Sequence, residues 1–122
     1  MIDSSGIKLA LNALGYVEQG LSEKSAFDKC VRENKFFKMK TLKYALLLLM
    51  EISKLRIRYD RLLDELGILQ VDPFVKHFLY IYLYLVFDAN KSIDDLCGFI
   101  NIVNENKRIS RYVHCYLRRL LE

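Results

Sequence analysis

Apolar residues recur at helical spacing along almost all of this 122-residue chain, and only one proline and five glycines interrupt them. A period of 3.6 residues with so few turn-forming residues leaves little room for strands or long linkers. The apolar content of 52% also lies well outside the composition of disordered chains. A chain of this length can bury roughly two thirds of its unfolded surface around one core. We therefore predict an all-α protein with residues 1–122 in a single domain.

Two short helices are predicted at the start of the chain. The first begins at Ser4 or Ser5 and ends at Gly20, because serine is a common N-cap and glycine a common helix terminator. Ser22 then caps a second helix, and the polar pair at positions 34–35 breaks it. The apolar stripe of this second helix comprises Ala26, Phe27, Cys30 and Val31.

A long helical segment is predicted over residues 38–65, bent or divided in two near Ser53 and ended by Gly67. A stripe of apolar residues at helical spacing should face the core, and its members are Ala45, Leu48, Leu49, Ile52, Leu55, Tyr59 and Leu62. Basic residues repeat on another side of the same segment at one-turn intervals. They are Lys54, Arg58 and Arg61.

Asp72 and Pro73 indicate the start of a helix more clearly than any other pair in the chain, because a carboxylate cap followed by proline is typical of a helix start. Residues 74–87 are apolar almost all round, which predicts a central, buried helix. The same residues also alternate at strand period, but their length and the Asp-Pro start favour a helix. The tyrosines of this segment could stack on nucleic-acid bases or pack in the core with their hydroxyls at its rim. They are Tyr80, Tyr82 and Tyr84.

Two more helices complete the predicted fold. Ser92 and Asp95 resemble a capping box that opens a helix with Leu96, Phe99, Ile100 and Val103 facing inward. Residues 108–121 read as a terminal amphipathic helix with one apolar and one cationic face. With about seven helices joined by short connections, we expect a compact orthogonal bundle, because no heptad pattern is sustained.

The sequence predicts neither catalysis nor cofactor binding. His77 and His114 lack other ligands at metal-binding spacing, and there is no phosphate-binding glycine loop or nucleophile motif. Cys30, Cys97 and Cys115 are expected to be buried thiols rather than disulfide partners. The two longest apolar runs are shorter than the roughly twenty residues of a membrane span. Without a secretory signal at the N-terminus, we expect a cytoplasmic protein.

Charge is distributed in blocks along the chain. Residues 35–61 carry eight basic and two acidic residues, and residues 107–122 carry five basic and one acidic residue. Residues 62–106 between them carry two basic and seven acidic residues. Basic blocks can be solvated surface or can neutralise phosphates. We predict that they bind RNA phosphates and hypothesise that they form one surface. The candidate RNA-binding residues are Lys54, Arg56, Arg58, Lys107, Arg108, Arg111, Arg118 and Arg119.

Three stretches resemble the NusB family, an all-α fold associated with RNA. Residues 54–63 are similar to the segment "LRxRxxLDxLL", residues 72–84 to "DPxVRxILRLGxYQL" and residues 112–120 to "FVNxxLRRL", in the same order and at similar spacing. The Arg-Arg ending is closest to the N-terminal NusB-like domain of RNA cytosine-5 methyltransferases, the Fmu/Sun group. Three polar residues of the family pattern are replaced here by Leu85, Cys97 and His114.

This resemblance implies a non-catalytic domain that positions rRNA or tRNA for a C-terminal methyltransferase domain dependent on S-adenosylmethionine. The catalytic cysteine of such enzymes lies in that other domain, and the sequence ends at Glu122, where the linker to it would begin. The alternative is a protein-interaction module of the transcription antitermination type, which dimerises or binds a ribosomal protein. A helix-turn-helix DNA reader is a third possibility, for which no exposed recognition helix can be identified.

Overall fold

The computed structural model describes residues 3–33, 37–67, 73–89 and 93–105, and all of its regular structure is helical. The α-helices are α1 (Ser4–Glu18), α2 (Glu23–Glu33), α3 (Met39–Glu65), α4 (Pro73–Leu83) and α5 (Ile93–Glu105). A π-helical turn, Tyr84–Asp88, directly follows α4. The predicted all-α class is confirmed for these residues. The predicted helix in residues 108–121 lies outside them, so the count of about seven helices stays a prediction.

The N-terminus of α1 is fastened to α3 through one carboxylate. Asp3 caps α1 by accepting a hydrogen bond from the Gly6 amide at 3.0 Å through Oδ1. Its other oxygen, Oδ2, accepts a hydrogen bond of 2.8 Å from the Thr41 hydroxyl in the first turn of α3. The helix therefore begins at Ser4 as predicted, although the cap is the residue before it. It ends at Glu18, followed by Gly20 in a left-handed conformation with φ of 108°.

Helices α1 and α3 lie side by side and run in the same direction. Three contacts between them join residues that are all 38 positions apart in sequence: Asp3 with Thr41, Gly6 with Tyr44, and Glu18 with Arg56. A constant offset over the whole of α1 requires parallel axes, because both helices rise by the same distance per residue. Gly6 permits the close approach, since a Cβ at this position would lie 2.6 Å from the Tyr44 ring.

Helix α3 continues through Ser53 without interruption, so the alternative of two helices is wrong, and the alternative of a bend near Ser53 stays a prediction. The buried residues of α3 keep helical spacing from Ala45 through Ile52 to Leu63, so one helix packs along the core. The helix ends before Gly67, whose φ is 71°. The sequence predicted this end of the helix at Gly67.

Helix α4 occupies the centre of the fold. Every residue from His77 to Leu83 is buried, as the sequence predicts for an apolar helix opened by Pro73. The alternative of a strand is wrong. The rings of Tyr80 and Tyr82 are buried in the core, so they cannot serve as a stacking platform for bases. The predicted cap Asp72 lies outside the described residues.

The end of the predicted central helix is a π-helical turn rather than regular α-helix. The Ala89 amide donates a hydrogen bond of 2.8 Å to the Tyr84 carbonyl, five residues earlier. This wider turn shifts the helical register by one residue. It leaves Leu85 fully buried and brings Asp88 against α3.

Helix α5 packs one face against the core. Phe99, Ile102 and Val103 are buried, and Lys8 of α1 forms an ion pair of 2.6 Å with Glu105 at the end of α5. Cys97 is exposed, so its assignment to the core is wrong. It lies two positions before Phe99, about 200° around the helix from this buried residue. Cys30 is buried as predicted, and Cys115 lies outside the described residues.

Candidate functional site

The exposed surface of α3 between Met39 and Arg61 contains only apolar and basic residues. We call these ten residues the outer face. Its apolar members are Met39, Leu46, Leu47, Met50 and Ile57. Its basic members, which we call the cationic rim, are Lys40, Lys43, Lys54, Arg58 and Arg61. All ten fall within about 120° of the helix circumference, because adjacent pairs and single residues recur at intervals of three and four. The two carboxylates of this stretch, Glu51 and Asp60, are partly buried at its edges.

Two members of the cationic rim are paired with carboxylates, but their own side chains stay largely exposed. Lys54 Nζ lies 3.4 Å from Glu51 Oε1, and Arg58 Nη1 lies 3.5 Å from Asp88 Oδ1. More than two thirds of the Lys54 and Arg58 side chains remain accessible, whereas the Glu51 and Asp88 side chains are 34% and 19% accessible. A pair whose cation is largely in water is weak, so either cation can also contact a phosphate or another anion.

Arg56 does not belong to the outer face. Its Nη2 lies 3.1 Å from Glu18 Oε2 in α1, and its Nε lies 3.9 Å from Asp60 Oδ2 one turn along α3. The Tyr80 hydroxyl of α4 donates a hydrogen bond to the other Asp60 oxygen. Burial and this hydrogen bond raise the pKa of Tyr80. Arg56 therefore joins three helices, and its guanidinium is occupied by structural partners.

The turn after α4 is held to α3 by a second polar contact. The Tyr59 hydroxyl donates a hydrogen bond of 2.5 Å to Asp88 Oδ2, while Arg58 approaches the other oxygen of the same carboxylate. Burial and the hydrogen bond to Asp88 raise the pKa of Tyr59. Asp88 thus contacts two consecutive side chains of α3, with a hydrogen bond from Tyr59 and a longer ion pair to Arg58.

His77 is a buried histidine next to Glu18 of α1. Only 2% of the residue is accessible, its Nε2 lies 3.7 Å from Glu18 Oε2, and its Nδ1 has no hydrogen-bond partner among the described residues. Burial lowers its pKa, although the neighbouring Glu18 opposes this shift. The part of the chain that the structure describes holds no cluster of three metal-ligating side chains.

A shallow depression of about 400 Å³ lies between α1, α2 and the start of α4. The Tyr16 hydroxyl donates to both Glu33 oxygens at its edge, at 2.7 and 3.0 Å, and Lys29 lies 4.8 Å above the Tyr16 ring. Burial raises the pKa of the Cys30 thiol to about 11. A thiol that stays protonated at neutral pH is a poor nucleophile, so this depression provides no reactive group from Cys30.

The structure separates the predicted RNA-binding residues of α3 into two groups. Lys54 and Arg58 lie together on the outer face, and Arg56 lies on the opposite side. The predicted residues Lys107, Arg108, Arg111, Arg118 and Arg119 lie outside the described residues, so the single surface hypothesised from the two basic blocks stays a prediction. The exposed apolar residues of α3 were missed. Their signal was available, because Leu46, Leu47 and Met50 fall outside the predicted core stripe.

In the described residues, no helix combines the length and apolar character that a membrane span requires. Comparison of the sequence with protein-family models, with curated proteins and with solved structures gives no match. The functional assignment therefore depends on the outer face of α3 and on the sequence resemblance.

Proposed function

We propose that this chain is a non-catalytic, NusB-like RNA-binding domain that acts in the cytoplasm and positions rRNA or tRNA for an attached methyltransferase domain. The observation that carries the proposal is the charge of the outer face, where five cations are exposed between Met39 and Arg61 and the two carboxylates of this stretch, Glu51 and Asp60, are partly buried. The resemblance to the NusB-like domains of RNA cytosine-5 methyltransferases supports RNA as the polyanion. The basic segment 107–122 adds five more cations in sequence.

The cationic rim suits contacts to a phosphate backbone. From Lys40 to Arg61 it extends about 32 Å along the helix at 1.5 Å per residue, which is long enough to follow several successive phosphates. Contacts of this kind release counterions and give an affinity that falls steeply with salt. They do not read base sequence, so the domain would position RNA while another domain provides the chemistry.

Charge reversal on the outer face tests the proposal. We expect Lys54→Glu combined with Arg61→Glu to weaken binding to folded rRNA or tRNA fragments by at least about tenfold and to reduce its salt dependence. Lys24→Glu combined with Lys29→Glu is the matched control, because it makes the same charge change on α2. If fluorescence titration shows equal effects for both pairs, the outer face is not the RNA-binding surface.

The exposed apolar residues of the same face favour a second candidate, a protein-interaction module of the antitermination type. Leu47 and Ile57 are 52% and 76% accessible, and phosphate contacts do not use such side chains. A dimer or a complex with a ribosomal protein would bury them. Sedimentation equilibrium tests the dimer: a dimer that resists high salt and dissociates on Ile57→Gln would favour this second function.

A further inference from the structure

The middle of the outer face exposes four large apolar side chains that RNA binding leaves unexplained. We call it the apolar centre: Leu46, Leu47, Met50 and Ile57, with accessible fractions of 39%, 52%, 41% and 76%. Single exposed apolar residues are ordinary on protein surfaces. Four on one helix face, within about 16 Å along the axis, form a stripe of the kind that binds another helix.

The apolar centre is not required for the core of the described fold. The opposite side of α3 already supplies a complete buried stripe, including Ala45, Leu48, Leu49 and Ile52. Helices α1, α2 and α4 pack around that buried side and leave the apolar centre accessible. Exposing large apolar side chains to water is unfavourable, which indicates that they are covered in a complex.

Charge decides which occupant fits this surface. The cationic rim lies along one side of the apolar centre and beyond both of its ends. The two carboxylates between Met39 and Arg61 are those of Glu51 and Asp60, and their side chains are 34% and 32% accessible. A second copy of the outer face would bring two cationic rims together, which is unfavourable. Segment 107–122 of the same chain carries five basic residues and one acidic residue, so it has the same sign. RNA has the opposite sign, but the outer face has no aromatic side chain on which bases could stack.

We propose that the outer face of α3 docks an amphipathic helix of a partner protein, whose apolar stripe covers the apolar centre and whose flanking carboxylates pair with the cationic rim. Met50 at the middle suits this role because a flexible thioether adapts to different apolar partners. The partner helix would neutralise the same cations that contact RNA in the proposed function. The two ligands therefore compete, and the partner controls access of RNA to the domain.

A designed peptide pair tests the docking directly with the intact chain. One helical peptide of about eighteen residues carries leucines at positions i, i+3, i+4 and i+7 with glutamates on both flanks, and its twin carries lysines in place of the glutamates. We expect the acidic peptide to bind with a Kd of tens of micromolar in fluorescence anisotropy and the basic peptide to bind at least about tenfold more weakly. Equal binding of the two peptides would overturn the charge argument.

Variants separate docking from RNA binding. Leu47→Gln combined with Met50→Gln should reduce affinity for the acidic peptide by about tenfold or more and leave affinity for an RNA fragment unchanged. Leu21→Gln, a substitution of an exposed leucine before α2, is the control and should change neither. Both substituted side chains of the test variant are exposed, so circular dichroism should show an unchanged melting curve. Unchanged peptide binding by the test variant would refute the docking surface.

Three further outcomes distinguish the occupants. Acidic peptide that displaces bound RNA in a competition titration supports the shared cationic rim, whereas simultaneous binding contradicts it. If the acidic peptide binds and RNA does not, the docking proposal stands and the proposed RNA-binding function is wrong. Binding to vesicles of phosphatidylserine and phosphatidylcholine that depends on Leu47 and Met50, with no binding of the acidic peptide, would assign the outer face to a membrane surface and overturn the proposal.

Discussion

Arg56 and Arg58 are separated by one residue, yet they point to opposite sides of α3 and have different partners. Arg56 lies 3.1 Å from Glu18 of α1, and Arg58 lies 3.5 Å from Asp88 after α4. A separation of two residues is about 200° around a helix, so the two guanidinium groups cannot share a surface. One of them holds helices together, and the other is available at the outer face.

We predict different effects on stability for these two arginines. Arg56→Ala should lower the free energy of unfolding by about 1–2 kcal/mol, because it leaves the partly buried carboxylates of Glu18 and Asp60 without their cation. Partial exposure of this pair to solvent keeps the loss below that of a buried ion pair. Arg58→Ala should cost no more than about 0.5 kcal/mol, since the Arg58 side chain is 68% accessible and Asp88 keeps its hydrogen bond from Tyr59. Urea denaturation of both variants measures the difference, and equal losses would contradict the assignment.

The core position of α4 predicts large losses of stability on truncation. Leu79 and Leu83 are fully buried, so replacing either by alanine leaves a cavity. We expect each substitution to lower the free energy of unfolding by about 2–5 kcal/mol. Leu47→Ala removes the same number of atoms from an exposed position and should change stability by less than about 0.5 kcal/mol. Neutral behaviour of both core variants in thermal or urea unfolding would show that α4 is not central.

Buried tyrosines predict a loss of stability at alkaline pH. Burial and hydrogen bonds to carboxylates raise the pKa values of Tyr59 and Tyr80, and burial raises that of Tyr44 to about 12. A tyrosine with a raised pKa in the folded state stabilises the fold below its unfolded pKa of about 10 and loses that contribution at higher pH. We therefore expect the free energy of unfolding to fall as pH rises above 10.

A double phenylalanine variant provides the control for this alkaline effect. Tyr59→Phe combined with Tyr80→Phe removes two of the groups that must ionise and should make the dependence on pH shallower between pH 10 and 11. The variant also loses two hydrogen bonds and should be less stable at neutral pH. Urea denaturation across this pH range measures both effects. A slope identical to that of the unsubstituted protein would exclude these tyrosines as its source.

His77 predicts a loss of stability at mildly acidic pH. Burial holds its pKa below the ordinary value of 6.5, so the unfolded chain binds a proton more readily than the folded one. The stabilising contribution is present above pH 6.5 and is lost as pH falls through 6.5 towards the folded pKa. His77→Phe should remove this part of the pH dependence. An NMR titration that places the His77 pKa above 6.5 in the folded protein would reverse the predicted sign.

The sequence by itself determined which of the described segments are helical and most of the positions that face the core. The periodic apolar residues predicted α1 to α5, Pro73 marked the start of α4, and the glycines at positions 20 and 67 marked two helix ends. These features are local. Side-chain period, capping and left-handed glycine conformations depend on a few neighbouring residues, so a single sequence contains them.

Only the tertiary structure decided which charged residues are available for binding. Helical period already separates Arg56 from Lys54 and Arg58, but it does not show what Arg56 contacts. Glu18 lies 38 positions before Arg56 and reaches it across the parallel α1–α3 contact. The exposure of Cys97 and the π-helical turn that positions Asp88 also depend on the tertiary structure. Pairing between distant segments depends on how the helices pack together, and periodicity within one helix carries no information about that packing.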